Sequence, residues 1–211
     1  AEISATPVFK LISNLVVLDT ENKADWSIQS DLQVGKEFYG DRTYQILTLP
    51  DTYRGCDWIK TANDSKSATH NPLVTFKVNA AATVYVAFDD RVTSKPSWFT
   101  SGGWSDTNDD ITSHDGTRTL TYSIFAKDFK AGDTVTLGAN GTSSGVCGYF
   151  VIVKSLAPSL PNLSINDVEV TEGDSGLTEA VFTVTLSKAV DEPVTVDYTT
   201  RDGTATVADN D

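Results

Sequence analysis

The stretch LVTFKVNAAATVYVAFD, residues 73–89, decides the fold class. Apolar and polar residues alternate in its two halves, which places every second side chain on one face of an extended chain. The four residues between the halves form a turn segment. The apolar members are Val74, Phe76 and Val78 in the first half and Val84, Val86 and Phe88 in the second. This pattern predicts two antiparallel strands with one face in a core.

The same alternation recurs in short runs, and these runs are bounded by Gly, Pro, Asn and Asp. Helical periodicity is almost absent. Further candidate strands are residues 15–18, 43–49, 58–61, 120–126, 134–137 and 148–153. We therefore expect an all-β protein in which residues 1–157 form an antiparallel, jelly-roll-like β-sandwich.

A change in composition separates this part from the rest of the chain. Residues 155–162, SLAPSLPN, carry two prolines, so residues 158–162 are predicted to be a linker. The formal charge is −4 before residue 158 and −9 from residue 158 onward. Residues 163–170, 180–186 and 194–200 alternate again. Because three strands cannot close a two-sheet sandwich, we expect residues 163–211 to be the first part of a truncated domain.

Residues 161–211 resemble the first half of a Calx-beta domain, through LSINDVEVTEGDSG, AVFTVTLSKAVDEPVTVDY and DGTATVADND. The resemblance implies a partial immunoglobulin-like β-sandwich. It also implies a calcium site in which Glu172 and Asp202 are ligands and the next acidic loop begins at Asp209 and Asp211. Solvated loop carboxylates in a spacer module are the alternative. An incomplete domain of this kind would pair its strands with a neighbouring module or subunit.

Charge and cysteine content limit the partners and the compartment. The chain of 211 residues has 16 basic and 29 acidic side chains, a formal charge of −13, so nucleic acid is not an expected partner. No apolar run reaches the roughly 18 residues of a membrane span. Cys56 and Cys147 are the two cysteines, and such a pair predicts one disulfide in a secreted or cell-surface protein. Two free, buried thiols are the alternative.

Two tryptophans lie in a segment with the composition of a loop. Trp98 and Trp104 belong to residues 95–110, KPSWFTSGGWSDTNDD. Indole faces stack on sugar rings while charged neighbours bind the hydroxyls, and the charged neighbours here are Asp89, Asp90, Arg91 and Lys95. The pattern therefore predicts a carbohydrate site. In the alternative, the loop caps the core and the aspartates pair with Arg91 or Lys95.

The strings TVYVAFDDRVTSKPSW, WIKTANDSK and AGDTVTLG are also similar to an uncharacterised module found in secreted bacterial polysaccharide-degrading proteins. Such modules occur beside lyases, esterases and hydrolases. The resemblance implies a glycan-binding, non-catalytic part of a larger protein.

The run Asp106, Asn108, Asp110 has the oxygen spacing of the start of an EF-hand loop. The motif then fails, because Ile111 and Thr117 stand where it needs Gly and Glu. A structural Ca²⁺ needs only carboxylates and carbonyls, so a calcium site and a solvated turn are both compatible with the run.

Catalytic patterns are weak. Residues 141–145, GTSSG, fit G-x-S-x-G, but both histidines, His70 and His114, precede Ser143 in the chain, and no helix is predicted to follow. We expect a non-enzymatic, extracellular polysaccharide-binding module, with calcium as a candidate cofactor. The alternative is a structural or adhesive surface subunit built from β-sandwich modules.

Overall fold

The computed structural model describes residues 10–141, 145–156, 162–171, 176, 178–187 and 194–199. The chain divides into two compact units, Ala1–Pro158 and Ser159–Asp211. None of the helices in the described ranges is long and apolar enough to cross a membrane. The elements are β1 (Ile12–Val17), β2 (Ser27–Gln29), β3 (Gln45–Thr48), β4 (Asp57–Lys60), β5 (Val74–Val78), β6 (Ala82–Asp89), α1 (Ser97–Thr100), β7 (Ser105–His114), β8 (Thr119–Phe129), β9 (Thr134–Leu137), β10 (Phe150–Ser155), β11 (Leu163–Ile165) and β12 (Val184–Leu186). Short 3₁₀ turns span Lys23–Asp25, Asp51–Tyr53 and Asn63–Ser67.

The first unit contains a three-stranded sheet, in the order β1-β5-β9, and a seven-stranded sheet, in the order β2-β4-β10-β6-β8-β7-β3. All of these strand pairs are antiparallel. The prediction of an all-β, antiparallel sandwich is therefore confirmed.

The main core lies between the two sheets. The alternating apolar residues of β5 and β6 that the sequence placed on one face are all buried in it. The seven-stranded sheet contributes buried side chains of β4, β10 and β6 to this core. Its strand β8 contributes only the partly buried Phe125 and Phe129. The three-stranded sheet thus covers one part of its wider partner.

The other face of the seven-stranded sheet carries a second core. It is covered by the connection between β2 and β3, whose Leu32, Phe38 and Tyr39 are buried against Tyr122 and Phe150. Phe38 packs edge-on against Tyr122 with 5.5 Å between ring centroids. Both faces of the central strands are therefore buried, as the nearly uninterrupted burial of β6 indicates.

Residues 95–110 were predicted to be a loop, and the structure corrects the second part of that prediction. After α1 and a turn, Ser105–His114 form β7, which pairs with β8 and with β3. Its residues are mostly polar because one of its faces is open to solvent, so the chain offers no apolar alternation there.

The predicted disulfide is wrong, because both cysteines are free and buried. Asp57 pairs with Val153, so Cys56 lies across from Lys154. Cys147 is next to Gly148, whose backbone N–H bonds Asn63 beyond the far end of β4, whereas Cys56 precedes the start of β4. A disulfide needs Cα atoms within about 7 Å.

In the second unit, β11 and β12 form a two-stranded antiparallel sheet. Leu163, Ile165 and Val184 share one face and are 45%, 52% and 48% exposed, so this face is largely uncovered. Residues 194–199, predicted to be part of a third strand, adopt no strand. Most of the predicted linker and the candidate ligands Glu172, Asp202, Asp209 and Asp211 lie outside the described residues.

We expect Gly40→Ala to destabilise the first unit by about 2 kcal/mol or more, because a Cβ at this position would lie 2.1 Å from the Asp25 carbonyl oxygen. Urea unfolding followed by Trp fluorescence measures the change. Gly148→Ala is the control, since the nearest atom to its Cβ is at 3.5 Å. Equal unfolding midpoints for the two variants would contradict the packing at Gly40.

We also expect Ellman's reagent to count two thiols in unreduced protein after unfolding in urea, and to react slowly with the native protein. Burial raises the pKa of both Cys56 and Cys147, which lowers the thiolate fraction as well as access. A count of zero in urea without reductant would restore the disulfide.

Candidate functional site

The uncovered part of the seven-stranded sheet presents a ladder of polar and aromatic side chains along β7 and β8. Asp106 pairs with Phe125 and Asp110 pairs with Ser123, so each pair projects from the same face. One residue beyond the Ser105–Ala126 pair, Trp104 lies across from Lys127 on that face. We call the three pairs Trp104/Lys127, Asp106/Phe125 and Asp110/Ser123 the open face. Its two aspartates are exposed and its other members are partly exposed.

Two further side chains reach the open face from the segment that follows β6. Asp90 accepts hydrogen bonds from the Ser123 hydroxyl at 2.7 Å and from the Ser123 backbone N–H at 3.0 Å. The Lys95 ammonium lies over the Phe125 ring, 4.9 Å from its centroid. The sequence-predicted residues Asp90 and Lys95 are therefore brought together with Asp106 and Asp110.

Trp104 is held in place and keeps one polar group unused. Its indole is stacked on Phe99 with an interplanar angle of 11° and packs at 53° against Phe129. Lys127 fixes the adjacent turn by donating a hydrogen bond to the Gly102 carbonyl at 2.6 Å. In the described part of the chain, no acceptor bonds the Trp104 Nε1–H, so the ring edge can donate to a ligand.

Trp98, in contrast, is a structural residue. Its Nε1–H donates to the Ala139 carbonyl at 2.7 Å, and its ring packs against Phe88, Phe99 and Tyr149. It fills the space beside Gly138, where even a Cβ would lie 2.4 Å from the indole. Trp98 therefore caps the core, as the alternative interpretation of the loop has it.

Asp89 and Arg91 form an ion pair that closes the end of the core. Asp89 is 1% exposed and accepts hydrogen bonds from the Arg91 Nε, at 2.8 Å, and from the Arg91 Nη2. It also accepts the Cys147 backbone N–H, and Arg91 donates to the Gly145 carbonyl at 2.8 Å. The carboxylate holds the pKa of Arg91 well above its usual value. The structure thus places Asp89 and Arg91 apart from the open face. They have the ion-paired role that the sequence analysis gave as the alternative.

The three candidate calcium ligands lie on and around a bulge of β7. The pairing with β8 is irregular between Asp106 and Asp110, and Asn108 at the bulge has a φ of 60°. Asp106 Oδ1 accepts the Asn108 backbone N–H at 2.8 Å. Across the described ranges, no group of three or more His, Cys, Asp or Glu side chains is arranged to hold a metal ion. Calcium binding at this run stays a prediction.

Sequence reasoning missed Phe125, Lys127 and Ser123 as site residues. They belong to a strand that was correctly predicted over residues 120–126, but whose second face is only partly apolar. Their role depends on the pairing of β8 with β7. The sequence does not reveal this pairing, because β7 is polar and lacks the apolar alternation by which a strand is recognised.

We expect Arg91→Ala to destabilise the first unit by about 3 kcal/mol, because it leaves a buried carboxylate without its charged partner. Arg54→Ala is the matched control, since Arg54 pairs with the exposed Asp51 and should cost no more than about 1 kcal/mol. Urea unfolding midpoints measure both. Similar midpoints would show that the Asp89 carboxylate is hydrated.

No protein-family profile and no curated protein matches the chain. Among solved structures, the chain is similar to a β-glucuronidase of glycoside hydrolase family 2, with 18% identity and a TM-score of 0.59. The match covers 68% of this chain and 14% of that one. A second match, a glycoside hydrolase family 138 enzyme targeting pectin rhamnogalacturonan II, has 15% identity, a TM-score of 0.42, and coverages of 72% and 17%. The chain thus spans about one seventh of the first of these enzymes, and the likeness concerns the fold.

Proposed function

We propose that the first unit is a non-catalytic module that binds polysaccharide on the open face, as part of a larger extracellular protein. The observation that supports this most is the row formed by Trp104, Phe125 and the polar side chains beside them. They share one face of a sheet that its partner sheet does not cover.

The chemistry of the row suits a sugar chain. A pyranose ring has apolar C–H faces that pack on aromatic rings, and hydroxyls that both donate and accept hydrogen bonds. The Trp104 Nε1–H has no acceptor in the described part of the chain, and the exposed Asp106 and Asp110 offer acceptors. Lys95 and Lys127 offer donors, each held beside a phenylalanine ring. Lysine and aspartate side chains are mixed on the open face, so it is better suited to the hydroxyl groups of a ligand than to a ligand with a single charge.

The shape suits a polymer lying along the strands. Beyond the open face, the same side of β7 and β8 continues with the hydroxyls of the Thr112–Thr121 pair and with the pair His114–Thr119. From Lys127 to Thr119 the strand extends about 26 Å, at roughly 3.3 Å per residue. Several consecutive sugar residues can contact such a surface, whereas a monosaccharide would use a fraction of it.

The structural likeness supports the proposal at the level of fold. The chain shares its fold with 14% of the chain of a β-glucuronidase from glycoside hydrolase family 2, at a TM-score of 0.59. Because the identity is 18%, the choice of polysaccharide rests on the open face of this chain.

Affinity electrophoresis tests the proposal. We expect the native chain to be retarded by at least one polymer in a panel of plant and algal polysaccharides. Trp104→Ala should weaken that retardation at least about tenfold, the loss of one contact of about 1.4 kcal/mol. Asp110→Ala should weaken it as well. Parallel gels with Ca²⁺ and with EDTA show whether a cation assists the binding.

Two controls separate binding from folding. Lys77→Ala changes an exposed side chain on β5 in the other sheet and should leave the retardation unchanged. Trp98→Ala should lower the melting temperature, because it removes a core cap and strands the Ala139 carbonyl. Loss of retardation in Lys77→Ala, or none with any polymer for the native chain, would refute binding on the open face.

A structural or adhesive role is the second candidate, and the exposed apolar face of β11 and β12 favours it. Neighbouring Calx-beta-like modules would cover this face in a multimodular surface protein. Light scattering after size exclusion tests it, since a chain that self-associates without binding any polysaccharide would support this role alone.

A further inference from the structure

A second set of unused polar groups lies on the opposite face of the seven-stranded sheet. Gln45 pairs with His114 and Ile46 pairs with Ser113, the latter pair buried in the second core. The residues next to Gln45 and His114, Tyr44 and Asp115, therefore lie across from each other on the Ile46 side. Asp106, Asp110 and Trp104 belong to the other side of the same sheet.

Asp115 and Arg118 form a fixed pair in the turn between β7 and β8. Asp115 Oδ1 accepts the backbone N–H groups of Thr117 and Arg118, both at 2.9 Å. Asp115 Oδ2 accepts the Arg118 Nε–H at 3.0 Å. These bonds hold the pKa of Asp115 below its usual value, the Arg118 backbone N–H being the largest cause. A carboxylate has about four acceptor positions, so three N–H groups leave one unused, on a side chain that is 12% exposed.

The guanidinium of Arg118 has spare donors. Its side chain is 59% exposed, and its Nε alone is engaged by Asp115. In the described ranges no acceptor bonds either of its Nη atoms. A donor edge and an open carboxylate position therefore stand side by side.

Tyr44 completes the group with a fixed ring. The ring packs edge-on against Tyr39, 5.9 Å between centroids, and Tyr39 is anchored by donating to the Gly148 carbonyl. No described residue bonds the Tyr44 hydroxyl. Burial raises the pKa of Tyr44 most, followed by Cys147 and Asp115, whereas Arg42 and Arg118 lower it.

We propose that Tyr44, Asp115 and Arg118 form a second glycan site, specific for a neutral sugar residue with two neighbouring hydroxyls. One hydroxyl accepts from an Arg118 Nη–H and donates to Asp115 Oδ2. The neighbouring hydroxyl meets the Tyr44 hydroxyl, and the ring edge covers the carbons between them. The proposal stands apart from the open face, because it uses none of its residues.

The charge of the site selects neutral sugars. Arg118 is balanced by Asp115, and Arg42, which lies two residues before Tyr44, is balanced by Asp64 at 2.5 Å. A uronate would be repelled by Asp115 about as strongly as it is attracted by Arg118, so it would gain little net attraction. A diol uses donor and acceptor together and needs no net charge.

Two sites on opposite faces of one sheet give the chain a distinct capability. A single copy can hold two polysaccharide strands at once, and linked binding of this kind raises the apparent affinity for a dense glycan surface. The chain would then cross-link beads coated with the polysaccharide while it remains a monomer.

Amide NMR of the full chain tests the site directly, with methyl hexopyranosides of glucose, galactose and mannose and with methyl glucuronide as probes. We expect one of the neutral glycosides to shift the amides of residues 44 and 115–118, in the native chain and in Trp104→Ala alike. Arg118→Ala should weaken this binding about tenfold, as expected for loss of a charge-assisted hydrogen bond. Tyr44→Phe should weaken it about threefold, because it removes one neutral hydrogen bond and keeps the ring.

Arg54→Ala is the matched control, since its i, i+3 pair with Asp51 has the same chemistry. Unchanged binding in Arg118→Ala, shifts confined to the open face, or tighter binding of the glucuronide would each overturn the site. Hexoside shifts at residues 115–118, together with polysaccharide retardation that Arg118→Ala abolishes and Trp104→Ala leaves unchanged, would instead refute the open face alone.

Discussion

The unequal width of the two sheets governs the first unit. Three strands pack against seven, so the shared core buries β4, β10 and β6 and leaves the same face of β7 uncovered. Burial of apolar area stabilises the covered part, and an uncovered strand can remain soluble only if its outward residues are polar. The polar sequence of β7 meets this condition, and the uncovered strip forms the proposed polysaccharide-binding surface.

A network of buried polar groups keeps the end of the sheet closed. Asp89 joins Arg91 to the backbone of Cys147, while Asn63 accepts the Gly148 backbone N–H at 3.0 Å. These bonds satisfy the irregular segment that leads into β10, which would otherwise leave backbone groups buried without partners. The same closure positions Tyr39, and through it the ring of Tyr44. Charged residues that resemble ligands in the sequence are thus part of the structure that holds the site in place.

The two proposed sites differ in design because they use different faces of the same strands. The open face relies on aromatic area and on mixed charges spread over three pairs, which favours an extended polymer. The group around Tyr44 is compact and electrically balanced, which favours one residue of a sugar chain. Alternation of side chains keeps the two apart, since neighbouring residues of one strand cannot share a face.

The sequence by itself determined the all-β class and the positions of eight strands in the first unit, because a period of two in apolar residues is imposed locally by burial. It also predicted a carbohydrate site from Trp98, Trp104, Asp89, Asp90, Arg91 and Lys95 and a calcium site from Asp106, Asn108 and Asp110, without separating the residues that pack from those that face solvent. Tertiary structure alone decided that β7 is a strand, that Trp98 and Asp89 serve the core, and that the cysteines lie apart. Each of these depends on pairing between residues that are distant in the chain. A polar strand has no apolar pattern from which the register of that pairing can be predicted.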